Sequence, residues 1–176
     1  MSIMKLYGKK KGPWQDLLAF VLQTEYGIAP LPALDRKAEG KPFFPGFPHL
    51  HFSISHSKEW LLCAVSTRPV GVDIEDIQPR RSSLPKYALS PAEYAEYQRL
   101  GESWQGFYRL WTKKEAWCKY TGLGLRELWG QTPPGDLSYG YYSGKGWQAA
   151  VCGEEPPPKE ILWLEGDGHE TDTGIL

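Results

Sequence analysis

Cysteine is scarce, and Cys63, Cys118 and Cys152 lie far apart. That spacing supplies neither a disulfide framework nor a zinc-ligand cluster. Long apolar runs are missing: none approaches the roughly 18 residues that cross a bilayer. The opening MSIMKLYGKKKG lacks the apolar stretch of a signal peptide. An excess of one charge is missing too. Lys plus Arg is 20 against 21 Asp plus Glu, a net charge of −1, which argues against duplex nucleic acid as the main partner. Neither a P-loop nor a Rossmann glycine pattern occurs, which disfavours nucleotide hydrolysis and dinucleotide chemistry. No G-x-S-x-G elbow accompanies the Ser55-His56 neighbours, so a hydrolase triad has no support. The expectation is a soluble monomer of a reducing, cytoplasmic compartment, with no membrane or nucleic-acid partner. What is present is an aromatic, apolar chain long enough for one compact domain or two small halves sharing a core.

Trp14, Leu17, Leu18, Val21 and Leu22 follow helical spacing, so Trp14 to Tyr26 reads as a helix with Gly27 just past its end. Residues 28–47, with Pro30, Pro32, Pro42 and Pro45, read as irregular. Strands are expected at Leu50–Ser55, Trp60–Ser66 and Val70–Ile77. Residues 78–89, with two prolines, read as a linker. Ser90-Pro91-Ala92-Glu93 reads as a capping box opening the next helix. Trp104 to Tyr120 is the longest helix, followed by a short helix or loop. Further strands are expected near Leu137–Tyr142, Trp147–Cys152 and Ile161–Leu164, before a frayed acidic tail. This order predicts an α+β fold, with halves at residues 1–77 and 78–176.

In Gly71-Val72-Asp73-Ile74-Glu75, Val70, Val72 and Ile74 share one strand face and suit a core. Asp73 and Glu75 share the other. Two carboxylates on one face repel unless a cation lies beside them; Mg²⁺ fits, because it takes oxygen ligands and bridges carboxylates to phosphates. A solvated acidic face is the competing reading. Glu115 lies beside the apolar stripe of the long helix, and Lys119 follows four residues later. They read either as a surface i,i+4 pair or as a third metal ligand with Lys114 and Lys119 facing an anionic substrate. Lys9-Lys10-Lys11, Lys41 and the Ser55-His56-Ser57 segment offer the cations, hydroxyls and N–H groups that phosphates want. An outward His56 requires the strand to end near Ser55.

Three segments together are more specific than any one. Phe52-Ser-Ile-Ser-His-Ser57, Gly71-Val-Asp-Ile-Glu75 and Trp111-Thr-Lys-Lys-Glu-Ala-Trp-Cys-Lys119 resemble the 4′-phosphopantetheinyl transferases, in the order of the longer, surfactin-synthetase-activating branch. Gly40-Lys41-Pro42 and Gly122-Leu-Gly-Leu125 match as well, though Leu123 stands where the family often has Lys. The resemblance runs from about Leu17 to Leu164. It implies a pseudo-twofold α+β fold of two similar halves with the active site between them. It implies transfer of phosphopantetheine from coenzyme A to a serine of an apo acyl or peptidyl carrier protein, using Mg²⁺ and releasing adenosine 3′,5′-bisphosphate. By the same resemblance Asp73, Glu75 and Glu115 hold the metal, and Ser55 and His56 contact coenzyme A. Lys41 and Pro42 line the nucleotide pocket, and Lys9, Lys10 and Lys11 loosely match the basic residues that grip the 3′-phosphate. Lys119 stabilises the departing phosphate, and Glu115 is a candidate base for the carrier serine. Against the branch, the chain reads as short, with its amino-terminal strands absent or reduced.

Two other readings compete. One is a non-catalytic homologue that binds carrier proteins. The other is a metal-dependent nuclease, suggested by an acidic pair followed by Glu and Lys, but the spacing Glu115-Ala-Trp-Cys-Lys119 is not E-x-K.

Overall fold

A computed structural model of the chain describes residues 3–164. Its architecture is α+β, in four layers. The outer helix α1 (Trp14–Tyr26) packs Leu17, Leu18, Val21 and Leu22 onto a four-stranded sheet. That sheet has the order β4-β5-β1-β9, formed by β1 (Lys5–Lys10), β4 (His51–Ser57), β5 (Trp60–Ser66) and β9 (Leu162–Trp163). Its opposite face meets a three-stranded sheet of order β6-β8-β7, built from β6 (Val70–Asp76), β7 (Ser138–Gly144) and β8 (Trp147–Gly153). Leu6, Leu62 and Ala64 of the first sheet bury against Val70, Val72, Ile74 and Val151 of the second. The far face of the second sheet carries Ala150 and Cys152 against Ala116, Trp117 and Cys118 of α4 (Trp104–Thr121).

The alternation in β6 therefore works as expected: the apolar set faces the inter-sheet core, and Asp73 and Glu75 face the α4 side. α1 spans the expected residues, and Gly27 closes it with φ of 65° in the left-handed region. The capping box at Ser90 is formed in both directions, and opens α3 (Pro91–Arg99).

Several elements differ from expectation. Lys9 and Lys10, ahead of the first helix, lie on β1, a strand outside those expected, paired antiparallel with β5. Gly8 there has no Cβ because the Trp163 ring would lie 2.4 Å from it. The irregular segment contains a two-residue hairpin, β2 (Asp35–Arg36) with β3 (Pro42–Phe43). The linker contains α2 (Leu84–Ala88), with Pro85 in its first turn, where a missing N–H costs no helix bond. A short α5 (Leu125–Leu128) follows α4. β9 is shorter than expected, and the acidic tail lies outside the described residues.

The two sheets do not join by a backbone ladder. Ser53, Ser55 and Ser57 line the β4 face toward β6, and their hydroxyls accept the N–H groups of Val72, Ile74 and Asp76, each at 3.1 Å. Small side chains at period two thus replace one strand's carbonyls. At the other side of β6 the α4 backbone lies almost flush: a Cβ on Gly71 would stand 2.0 Å from Ala116 O. No described helix is long and apolar enough to cross a membrane.

Ser53→Ala leaves the buried Val72 N–H without its acceptor. Urea unfolding is expected to show a loss of about 1–3 kcal/mol, with an unchanged m value; a neutral substitution would refute the ladder's contribution.

Candidate active site

Asp73 is 3% exposed. Its Oδ1 accepts hydrogen bonds from Ser55 Oγ at 3.0 Å and from Lys119 Nζ at 3.2 Å, while the buried Oδ2 has no hydrogen-bond partner. Ser57 Oγ reaches Glu75 Oε2 at 3.4 Å. Burial pushes the Asp73 carboxyl up to about 6, against the pull of Lys119 and with the push of Glu115. Burial and the neighbouring Asp73 charge push Glu75 up to about 7. Glu115 is raised by burial and by Glu75, and lowered by Lys119. The three carboxylates thus feel one another, with Lys119 between them.

This excess of desolvated negative charge and the orphaned Asp73 oxygen suit a hard cation. As placed, no three His, Cys, Asp or Glu side chains among the described residues are gathered tightly enough to hold a metal ion. Lys119 takes Asp73 Oδ1 instead.

α4 supplies Glu115 and Lys119 to a cleft of about 290 Å³. Its other walls are Lys41, Pro42, Phe52, Ser53, Ile54, Gly122, Leu123 and Leu125. A second hollow of about 200 Å³ lies across Lys41 and Pro42, and Lys37, His51, Pro69 and Tyr120 are among its lining residues. The cleft has an ionic end, at Glu115 and Lys119, and a largely apolar remainder. Cys118 also lines it, but burial raises its thiol to about 12, so it is no nucleophile at neutral pH.

Other expected residues fall in different places. β4 continues to Ser57, and His56 shares the face of Phe52 and Ile54, yet it is exposed. It lies past the apolar cluster beneath α1. Register aligns Lys9 with Leu61 and Leu61 with His56, so Lys9 and His56 share a face about 10 Å apart. Lys10 instead pairs with Glu59 and covers the Trp60 ring. Lys11 follows the strand with φ of 60°. Ser55 is buried, its hydroxyl used both as acceptor and as donor. Lys41 Nζ donates to three backbone carbonyls.

Lys114 does not face a substrate. It is fully buried, and its Nζ donates to Glu93 Oε2 at 2.7 Å. Glu93 therefore does more than cap α3: it neutralises a cation that α4 drives into the core. Lys114 shares a buried face of α4 with Leu110, four residues before, and Trp117, three after, but the partner that neutralises it lies on another helix.

The family model for the 4′-phosphopantetheinyl transferase superfamily matches residues 69–150. A 4′-phosphopantetheinyl transferase of Bacillus subtilis is 43% identical over 88 residues, 49% of this chain and 39% of the relative. The enzyme gsp of Aneurinibacillus migulanus is 37% identical over 127 residues, 68% of this chain and 53% of the relative. AcpT of Salmonella typhimurium is 34% identical over 120 residues, 65% of this chain and 61% of the relative. The chain thus spans between about two fifths and three fifths of the length of these curated relatives.

The raised carboxylates set a pH dependence. Glu75 binds its proton more tightly folded, at about 7, than at its ordinary 4.5. Its protonated form therefore favours the folded state below about 4.5, and that contribution is lost as pH rises through 7. In EDTA, Glu75→Gln is expected to gain stability relative to the unsubstituted chain between pH 5 and pH 8, read as urea midpoints. A difference that does not grow with pH would contradict this.

Proposed function

The chain belongs to the 4′-phosphopantetheinyl transferase superfamily, and on that premise we propose that it transfers 4′-phosphopantetheine from coenzyme A to a serine of an apo carrier protein. The observation that carries the reading is the meeting of Asp73, Glu75, Glu115 and Lys119 from β6 and α4 beside one cleft. In this reading the serine oxygen attacks the pantetheine-side phosphorus of the diphosphate. The bond from that phosphorus to the bridging oxygen breaks, and adenosine 3′,5′-bisphosphate leaves. The halves at 1–77 and 78–176 then meet where β6 of the first pairs with β8 of the second, and the site lies along that seam.

Such a transfer needs charge neutralisation and in-line placement more than covalent apparatus. Asp73, Glu75 and Glu115, drawn closer than they stand without a cation, would hold Mg²⁺, which when bound would neutralise diphosphate charge. Lys119 donates to the departing phosphate oxygen, and its pairing with Asp73 keeps it at the ionic end of the cleft. Of the three carboxylates Glu115 is the one lining the cleft, so it is the one placed to take the serine proton. Lys9 and His56, on one sheet face, suit an outlying phosphate of coenzyme A. Ser55 acts through Asp73, which it orients. Pro42 gives the cleft a rigid apolar wall.

The test is mass spectrometry of apo carrier proteins incubated with the chain, coenzyme A and Mg²⁺, looking for the phosphopantetheine mass gain. Asp73→Ala and Glu115→Ala are each expected to lower the rate at least ~100-fold, and chelation to abolish it. Full activity in both variants would remove the site assignment. Carrier binding with no transfer would favour the non-catalytic homologue.

A further inference from the structure

Lys41 sits in the turn of the β2–β3 hairpin, after Gly40 with its φ of 93°. Its side chain runs inward past Gly122, where a Cβ would meet its Cδ at 3.5 Å. Nζ donates to Lys119 O at 2.7 Å, Val70 O at 3.1 Å and Tyr120 O at 3.3 Å. An ammonium has three N–H donors, and these carbonyls take all of them. Two belong to the last turn of α4, where helix carbonyls lack intrahelical partners and carry partial negative charge. The third belongs to the first residue of β6. Burial pushes the ammonium down to about 8, a penalty that three carbonyl dipoles oppose.

We propose that Lys41 is a positioning residue: its ammonium clamps the end of α4 to the start of β6, setting Lys119 against Asp73, and does not itself bind phosphate. The inference rests on the transferase reading and deepens it. Lys119 is held at its carbonyl by Lys41 while its Nζ reaches Asp73. Asp73 lies three residues along β6 from Val70, the clamp's other anchor. The clamp therefore grips the backbone on both sides of that ion pair. A second observation shows why one is needed. At Gly71 the strand offers the helix no side chain, and a Cβ would fall 2.3 Å from Tyr120 N. At that point backbone lies on backbone with no strand side chain to key the helix, and the Lys41 ammonium supplies a key there.

Lys41→Met keeps the apolar stem and removes the three donors. In steady-state transfer it is expected to lower kcat ~10-fold with the KM for coenzyme A within about twofold. On a Lys119→Met background it is expected to lower kcat by less than about twofold further, because the group it places is gone. A raised KM with unchanged kcat would make Lys41 a phosphate ligand and overturn the proposal. So would an undiminished loss on the Lys119→Met background. If Lys41→Met does not fold, Lys41→Gln, which keeps two N–H donors without the charge, enters the same measurements. Amide hydrogen exchange supplies a readout free of catalysis. Tyr120, Thr121 and Gly122 are expected to exchange ~10-fold faster in the variant, while Leu18 and Val21 of α1 do not change. Unchanged exchange at the end of α4 overturns the clamp. Failure of the unsubstituted chain to modify any carrier sinks the transferase reading, and exchange still decides the clamp.

Discussion

The serine ladder between β4 and β6 is the constraint on which the rest depends. A backbone pairing would leave the register to the turn between the strands. Here each hydroxyl accepts one specific N–H, so β6 is fixed against β4 at Val72, Ile74 and Asp76. A slip of one residue would turn Asp73 and Glu75 into the inter-sheet core and Ile74 out of it. Ser55 also donates to Asp73 Oδ1. The group that joins the sheets is therefore the group that aims the carboxylate. Serine is suited to both tasks, because one hydroxyl donates once and accepts twice.

α4 shows how a single helix serves two opposite electrostatic conditions. Lys114 points inward and meets Glu93, whose Oε2 also accepts the Ser90 N–H. Charge there is matched one to one, as a buried site requires. One residue on, the helix turns by about 100°, and Glu115 emerges on the cleft. There three carboxylates face Lys119, and the charge is unmatched. The carboxyls answer by rising above their ordinary range. Removing either partner of the matched pair would leave an uncompensated buried charge. Ionising the unmatched group works against the folded state, and desolvated carboxylates of this kind cluster at functional sites.

Much of this was readable from the chain because local period decides it. The leucines of α1, the alternation of β6 and the Ser90 capping box each contain their own instruction. What was not readable depends on partners far away in sequence. β1 is masked by its lysines and by Gly8, a glycine explained only by Trp163 at the other end of the chain. Lys114 reads as facing an anionic substrate until Glu93 arrives from α3. Lys41 reads as a lysine of the nucleotide pocket until the end of α4 and the start of β6 take its three protons. In the site itself, the carboxylates could be named from motif, but the desolvation that shifts them comes from packing α4 on the second sheet.

That packing also explains why the two halves of the site sit on rigid elements rather than on loops. Asp73 and Glu75 lie on β6, held by β8 on one side and by the serines on the other. Glu115 and Lys119 lie one turn apart on a helix whose backbone touches β6 at Gly71. Any Cβ at that residue would lift the helix by more than an ångström and open the 3.2 Å contact between Lys119 and Asp73. A missing side chain at one end of the strand thus sets a polar distance two residues away. Precision of this kind needs both surfaces to be regular, because only a fixed strand and a fixed helix convert a backbone contact into a side-chain distance.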